Sequence, residues 1–385
     1  MTIKRTLFLT ACVTSTLFSG IMANAAKKLL EVGWDTPKPS YVVNNIRQME
    51  TKPFDGLVVK LNDDKVFQRT KWASTNYSTE MSAIQRIQWV KFTDNYLYTN
   101  VASQMDWFSD TDWSNIAYNA GILAQAAKLG RCKGILLDPE PYDFNPWNYY
   151  SQTRTGSMTF AQYKAKVRQR GAQFMRAVKA QMPYPRIFMF FGDSMEGDVA
   201  ANTDVATQDR LLSQKGSFYA EYGLLPAFID GMLDAASTGT MIIDGNEGAS
   251  YYFTNSSQFY QSSQYIKSTC INLVSPENRT KYQMYVRVAQ PVYGDYIFDL
   301  YRDAGLPNTS QLTATEKAQY AQYNTYYALK TANEYAWIWT MNMNWWLNQS
   351  IPSGFQNALA TAKTKVNSYQ SLGFSITNII SKLVY

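Results

Sequence analysis

The stretch "GILLDPEPY", residues 134–142, ends an aliphatic run in two carboxylates, Asp138 and Glu140, set between prolines and closed by Tyr142. Two carboxyl groups held close together suit acid/base chemistry: one with a raised pKa gives up a proton while the other stabilises or attacks developing positive charge. "GTMIIDGNEGASYY" (239–252) repeats the arrangement, an aliphatic run opening into Asp244 and Glu247. A fold has little structural use for two such clusters, because burying like charges costs stability. The chain contains no histidine, which excludes a Ser-His-Asp triad, a Cys-His dyad, a His-ligated zinc and a histidine base. Acid/base work therefore falls to carboxylates, Tyr or Lys.

The elements that must position these acids are strands and helices in alternation, the pattern of a parallel sheet with helical crossovers. Strands are expected over 28–37, 54–62, 94–101, 133–142, 186–193, 239–252, 281–291 and 335–346. Helices are expected over 41–50, 113–129, 159–182, 224–236, 324–334 and 354–373. In the stretch 159–182, Phe160, Tyr163, Val167, Phe174 and Val178 recur at helical spacing. Eight strands in alternation predict an α/β fold of the (β/α)8 TIM-barrel type, and the absence of a linker or composition break predicts a single domain over residues 26–385. In such a barrel the residues leaving the C-terminal strand ends line one mouth. Glu140, Glu247, Asp138 and Asp244 are then the candidate catalytic carboxylates. Trp34, Asp35, Tyr142, Asp193, Trp339, Trp345 and Trp346 are the candidate substrate-binding residues. The chain holds 28 Tyr, 19 Phe and 10 Trp, and rings beside acids at strand ends could stack on sugars.

The Asp-x-Glu at strand four, with its nearby Tyr, resembles the acid-bearing strand of chitinase-like barrel glycosidases. That resemblance implies Glu140 as proton donor and Asp138 as the residue that tunes it, with Leu136 standing where those enzymes carry a further acid. "PEP" is similar to the Asn-Glu-Pro of clan A glycosidases, with Pro139 in place of the Asn and no Glu on the seventh strand. The chain also resembles a group of secreted bacterial barrel proteins classed with glycoside hydrolases, at "GWDTP", "ETKPFDGLVVKL", "KGILLDPEPY", "IIDGNEGASYY" and "YAWIWTMNMNWW". The expectation is a glycoside hydrolase cleaving O-glycosidic bonds of a poly- or oligosaccharide. The alternative is a carbohydrate-binding barrel without catalysis.

Lys4 and Arg5, an apolar stretch and "ANA" at 23–25 read as a secretory signal over residues 1–25, which places the mature protein outside the cell or in a bacterial periplasm. Without Lys4 and Arg5 the formal charge falls from +6 to +4, scattered along the chain, and does not indicate nucleic acid. No later segment is apolar enough for stable membrane insertion. No glycine-rich turn follows the first strand and no acidic loop has regular calcium-ligand spacing, so neither a cofactor nor a metal is expected. Cys132 and Cys270 are the cysteines left after the leader, and an oxidising compartment would allow them to pair.

Overall fold

A hydrogen-bonded series of parallel strands runs through the computed structural model, which describes residues 26–62, 64–302 and 306–384. The expected leader, residues 1–25, lies outside the described residues. The order along the chain is β1 (Lys28–Gly33), α1 (Pro39–Met49), β2 (Gly56–Val59), α2 (Ser78–Arg86), β3 (Tyr96–Asn100), α3 (Asp110–Leu129), β4 (Gly134–Asp138), α4 (Phe160–Gln181) and β5 (Arg186–Met189). It continues through α5 (Leu225–Ala235), β6 (Met241–Asp244), α6 (Ser256–Ser268), β7 (Val286–Val288), β8 (Gln290–Tyr293), α7 (Ala314–Thr331), β9 (Tyr335–Thr340) and α8 (Phe355–Asn367).

The spatial order β7-β6-β5-β4-β3-β2-β1-β9-β8 looks open, but its two ends are joined covalently. Only Ala289 separates β7 from β8; β7 pairs with β6, and β8 pairs with β9. Residues 286–293 are thus one seventh strand, bent where the Ala289 N–H bonds Asp244 O at 2.8 Å, and they close a (β/α)8 TIM barrel.

Aromatic rings fill the barrel. Tyr96 of β3 meets Tyr335 of β9 at 5.9 Å and Phe188 of β5 at 5.6 Å, while Phe190 beyond β5 stacks on Trp337 of β9 at 5.2 Å. β3, β5 and β9 are not neighbours in the sheet, so these contacts cross the interior and identify the inward face. Alternation along a strand then assigns every other residue to the inside. Register carries that assignment to β4, where Asn100 pairs with Asp138 and Tyr98 with Leu136.

Local chemistry sets the helix boundaries. Ser109 caps α3 by accepting from Asp112 N, and Asp110 and Asp112 favour its positive end. Thr159–Gln162, Asn255–Gln258 and Thr313–Glu316 form capping boxes that open α4, α6 and α7. The sequence pattern missed α2 and α6, which are short and rich in Ser, a residue that favours caps and turns over helix interiors. It also read 281–285 as strand, yet a short helix spans Arg279–Tyr285 and the strand starts at Val286. Cys132 and Cys270 are both buried and unpaired. Among the described residues no helix is long and apolar enough to cross a membrane.

Candidate active site

β4 delivers Asp138 inward, and the chain then turns outward through Pro139, Glu140 and Pro141. Asp138 is buried and saturated with donors: Tyr98 Oη donates to its Oδ2 at 2.7 Å, and the Glu140 N–H to its Oδ1 at 2.9 Å. Asp138 therefore fixes the backbone that presents Glu140, while the prolines restrict φ on either side. Trp147 Nε1 bonds Pro139 O at 2.7 Å, and Asn100 Nδ2 bonds Glu140 O at 3.3 Å, which holds the turn from both flanks. The Glu140 side chain is half-buried and its Oε2 accepts a hydrogen bond from Tyr142 Oη. Burial pushes the Asp138 carboxyl up to about 7, with the Glu140 charge adding to the rise and the bonds from Tyr98, Glu140 and Asn100 opposing it.

The second acid comes from the turn after β6. Asn246 and Gly248, on either side of Glu247, both have positive φ, at 56° and 101°. This is backbone that asparagine tolerates and glycine adopts freely. Asn246 is locked by Gln290 Oε1 at 2.8 Å, and the Glu247 N–H bonds Phe190 O at 3.0 Å. Glu247 Oε1 accepts from Tyr251 Oη at 2.7 Å, while its buried Oε2 has no protein partner. Burial, then the Glu140 charge and Asp138, raise Glu247 well above the usual carboxylate range, against the bond from Tyr251.

Asp138, Glu140 and Glu247 thus meet in one electrostatic cluster at the barrel mouth. Tyr251 leans on Trp337 at 5.8 Å and on Tyr293 at 4.9 Å, and Trp339 lies against Phe190 at 5.6 Å. Trp34 is 69% exposed at the end of β1, on the parity that points inward. The cluster has a member that sequence reasoning missed, Tyr222. It packs on Phe191 at 4.9 Å, and its hydroxyl is pushed up by burial and then by the charges of Glu140, Glu247 and Asp138. Tyr98, Tyr251 and Asn100 were missed as well. Tyr98 and Asn100 were legible in principle, because "YLYTN" alternates and puts them on one face of β3.

Five of the expected site residues lie elsewhere. Asp244 pairs in register with Met189, on the outer face of the sheet. Its carboxylate accepts from Ser194 N at 2.9 Å, Ser194 Oγ at 2.6 Å and Asn246 N at 2.9 Å, so it braces the Glu247 turn from behind. Asp193 is buried beside it in the helix layer, with Asp244 and Asp230 as its charged neighbours. Asp35 also follows the outward parity and accepts from Trp345 N at 2.7 Å. Trp345 and Trp346 are core residues: Trp345 packs edge-on to Phe54 at 4.8 Å and against Phe355 at 5.2 Å, and Trp346 against Phe54 at 6.4 Å. Phase explains Asp244 and Asp35, which fall one step out of the inward alternation; Asp193 opens a 3-10 turn after β5, and Trp345 and Trp346 lie well past the end of β9 at Thr340, where the strand no longer aims them. Trp345→Ala should cost about 3–5 kcal/mol of stability, as large core truncations do, read as a fall in denaturant midpoint without change in slope.

No family model and no curated protein matches the chain. Among solved structures it is similar to an exo-β-1,4-mannosidase, Op5Man5 from Opitutaceae bacterium strain TAV5, at 11% identity and a TM-score of 0.44, over 89% of this chain and 60% of that one. The chain therefore spans less than two thirds of the mannosidase. It is also similar to a GH5-4 broad specificity endoglucanase from Clostridium acetobutylicum (9% identity, TM-score 0.41, 83% and 89% coverage). A third is a GH18 chitinase from Pseudoalteromonas aurantia (14% identity, TM-score 0.37, 87% and 99% coverage). What the chain has in common with these glycoside hydrolases is a barrel of parallel strands, and its own strand order establishes that barrel without them.

Proposed function

We propose that this protein is a glycoside hydrolase acting on an oligo- or polysaccharide, with Glu140 and Glu247 as the reacting carboxylates. The observation that carries the reading is the difference between two half-buried acids of one cluster: Glu247 has a buried Oε2 with no protein partner and its Oε1 held by Tyr251, whereas Glu140 is held by the exposed Tyr142. A glycosidase needs one carboxyl group to hold a proton at working pH and one to carry charge. Burial and the neighbouring negative charge favour the proton on Glu247, which makes it the general acid. Glu140 is then the nucleophile or base, the reverse of the assignment implied by the strand-four resemblance. Asp138 positions Glu140 through its N–H, and the exposed Trp34 and half-exposed Trp339 supply sugar-stacking surface.

Released reducing ends, measured over a panel of plant, algal and bacterial polysaccharides, test the reading. Turnover on at least one polymer is expected. Binding without turnover on every polymer tried would instead identify a carbohydrate-binding barrel. Asp138→Asn should lower turnover less than loss of either glutamate and should shift one limb of the pH–rate profile, because it removes a group titrating near 7 from beside Glu140.

A further inference from the structure

The loops after β4 and β5 are fastened to one another beside the carboxylates, and together they display a strip of exposed aromatic rings, of which Tyr142 bonds Glu140 while Tyr150 and Phe218 have no part in the catalytic cluster. Glu221 accepts from Asn145 Nδ2 at 2.9 Å and from Asn148 Nδ2 at 3.1 Å. Tyr150 Oη donates to Ser213 O at 2.8 Å, the Lys215 ammonium sits 5.6 Å over the Tyr150 ring, and Leu224 N bonds Trp147 O at 3.0 Å. On this clamped pair of loops Tyr142 is 60% exposed, Tyr150 40% and Phe218 64%. Phe218 opens the 3-10 turn Phe218–Glu221, and Tyr222, whose hydroxyl lies within the field of the Glu140 and Glu247 charges, follows directly. At the 3-10 rise the two residues are only about 8 Å apart along the chain. The strip therefore leads outward from the carboxylates.

Exposed rings on loops that are tied down present apolar surface in a fixed place, which a ligand can cover. The choice of occupant follows from what lies between the rings: amides, a carboxylate and an ammonium rather than aliphatic side chains. A pyranose offers the matching pattern, an apolar C–H face for a ring and hydroxyls at its edge for amides and charges. The geometry points to Tyr150 and Phe218 as a platform for sugar units beyond the scissile bond, so that the substrate is a chain of several residues that passes over this rim. This inference rests on the hydrolase reading for the identity of the site, but it is tested by binding rather than by turnover.

The experiment measures affinity for each polymer of the panel by affinity electrophoresis in the presence of soluble polysaccharide. It uses the wild type and a catalytically silenced Glu140→Gln/Glu247→Gln protein, each with and without Tyr150→Ala and Phe218→Ala. Loss of either ring is expected to weaken binding of the preferred polymer roughly five- to hundred-fold, taking base-aromatic stacking as the analogue. The melting temperature should not change in Phe218→Ala, whose ring is exposed, and Tyr150→Ala, which also gives up the bond to Ser213 O, is compared well below its own transition. Affinity within twofold of the parent after both rings are removed, or no binding to any polymer, overturns the platform. Binding that depends on the rings with no cleavage by the wild type leaves the platform standing and removes the hydrolase. Cleavage of polymer that is indifferent to the rings does the reverse.

Discussion

Glu247→Gln should cut turnover of a natural polysaccharide by about 10²- to 10⁴-fold, the usual contribution of proton transfer to a leaving group, while leaving substrate affinity nearly intact. The amide keeps the shape and the acceptor for Tyr251 but carries no transferable proton. Much of the first-step rate should return on substrates with an activated leaving group, which departs without protonation. Glu140→Gln should lose activity to a similar or greater extent and regain nothing on those substrates, because stabilisation of the positively charged transition state is still missing. It should also move the limb of the pH profile that reports Glu247 towards lower pH, since the neighbouring charge that raises that carboxyl is gone. Rescue of Glu140→Gln and not of Glu247→Gln would restore the assignment implied by the strand-four resemblance.

Glu196→Gln should make the protein more stable at pH 8 and no more stable at pH 4. Glu196 is fully buried in the helix layer, neither carboxyl oxygen has a protein partner, and its neighbours include Asp193 and Asp198. Burial first, then those two charges, push its carboxyl up to about 9. A carboxyl whose pKa is raised by folding holds its proton in the native state while the unfolded chain has already lost it. Its contribution to stability is therefore complete below the ordinary value near 4.5 and is lost as pH rises to about 9. Within that window one such group costs about 1.4 kcal/mol per pH unit, so removing it should gain a few kcal/mol at pH 8. Asp193, also buried without a protein partner, and Glu31, buried against the Asp35 carboxyl, steepen the same decline in the wild type. Melting temperatures of wild type and variant across pH 4–9 read the effect, and a gap that does not change with pH would contradict it.

The barrel was legible because its strands are short aliphatic runs that end in polar residues, a pattern that survives without any knowledge of neighbours. "GILLDPEPY" is the clearest case: Asp138, Glu140 and Tyr142 meet as their spacing implies. Phase was not legible. "MIID" does not reveal whether Ile243 or Asp244 faces the axis, and only pairing with β5 decides it. Trp345 and Trp346 carried the composition of a sugar site, yet they lie past the end of β9 and fill the space around Phe54. Tyr222 lay outside any strand-end motif, because its place depends on the long loop between β5 and α5 folding back across the mouth.

The protonation of Glu247 is the point on which the account depends, and it can be read without knowing the substrate. In protein labelled with ¹³C at the glutamate side-chain carboxyls, NMR titration of wild type, Glu247→Gln and Glu140→Gln assigns the resonance by its disappearance. The predicted result is a Glu247 carboxyl that titrates well above the ordinary carboxylate range and moves down when Glu140 is neutralised. A Glu247 resonance that titrates at the ordinary value, unmoved by Glu140→Gln, would contradict both the assignment of the general acid and the coupling of the two acids in one site.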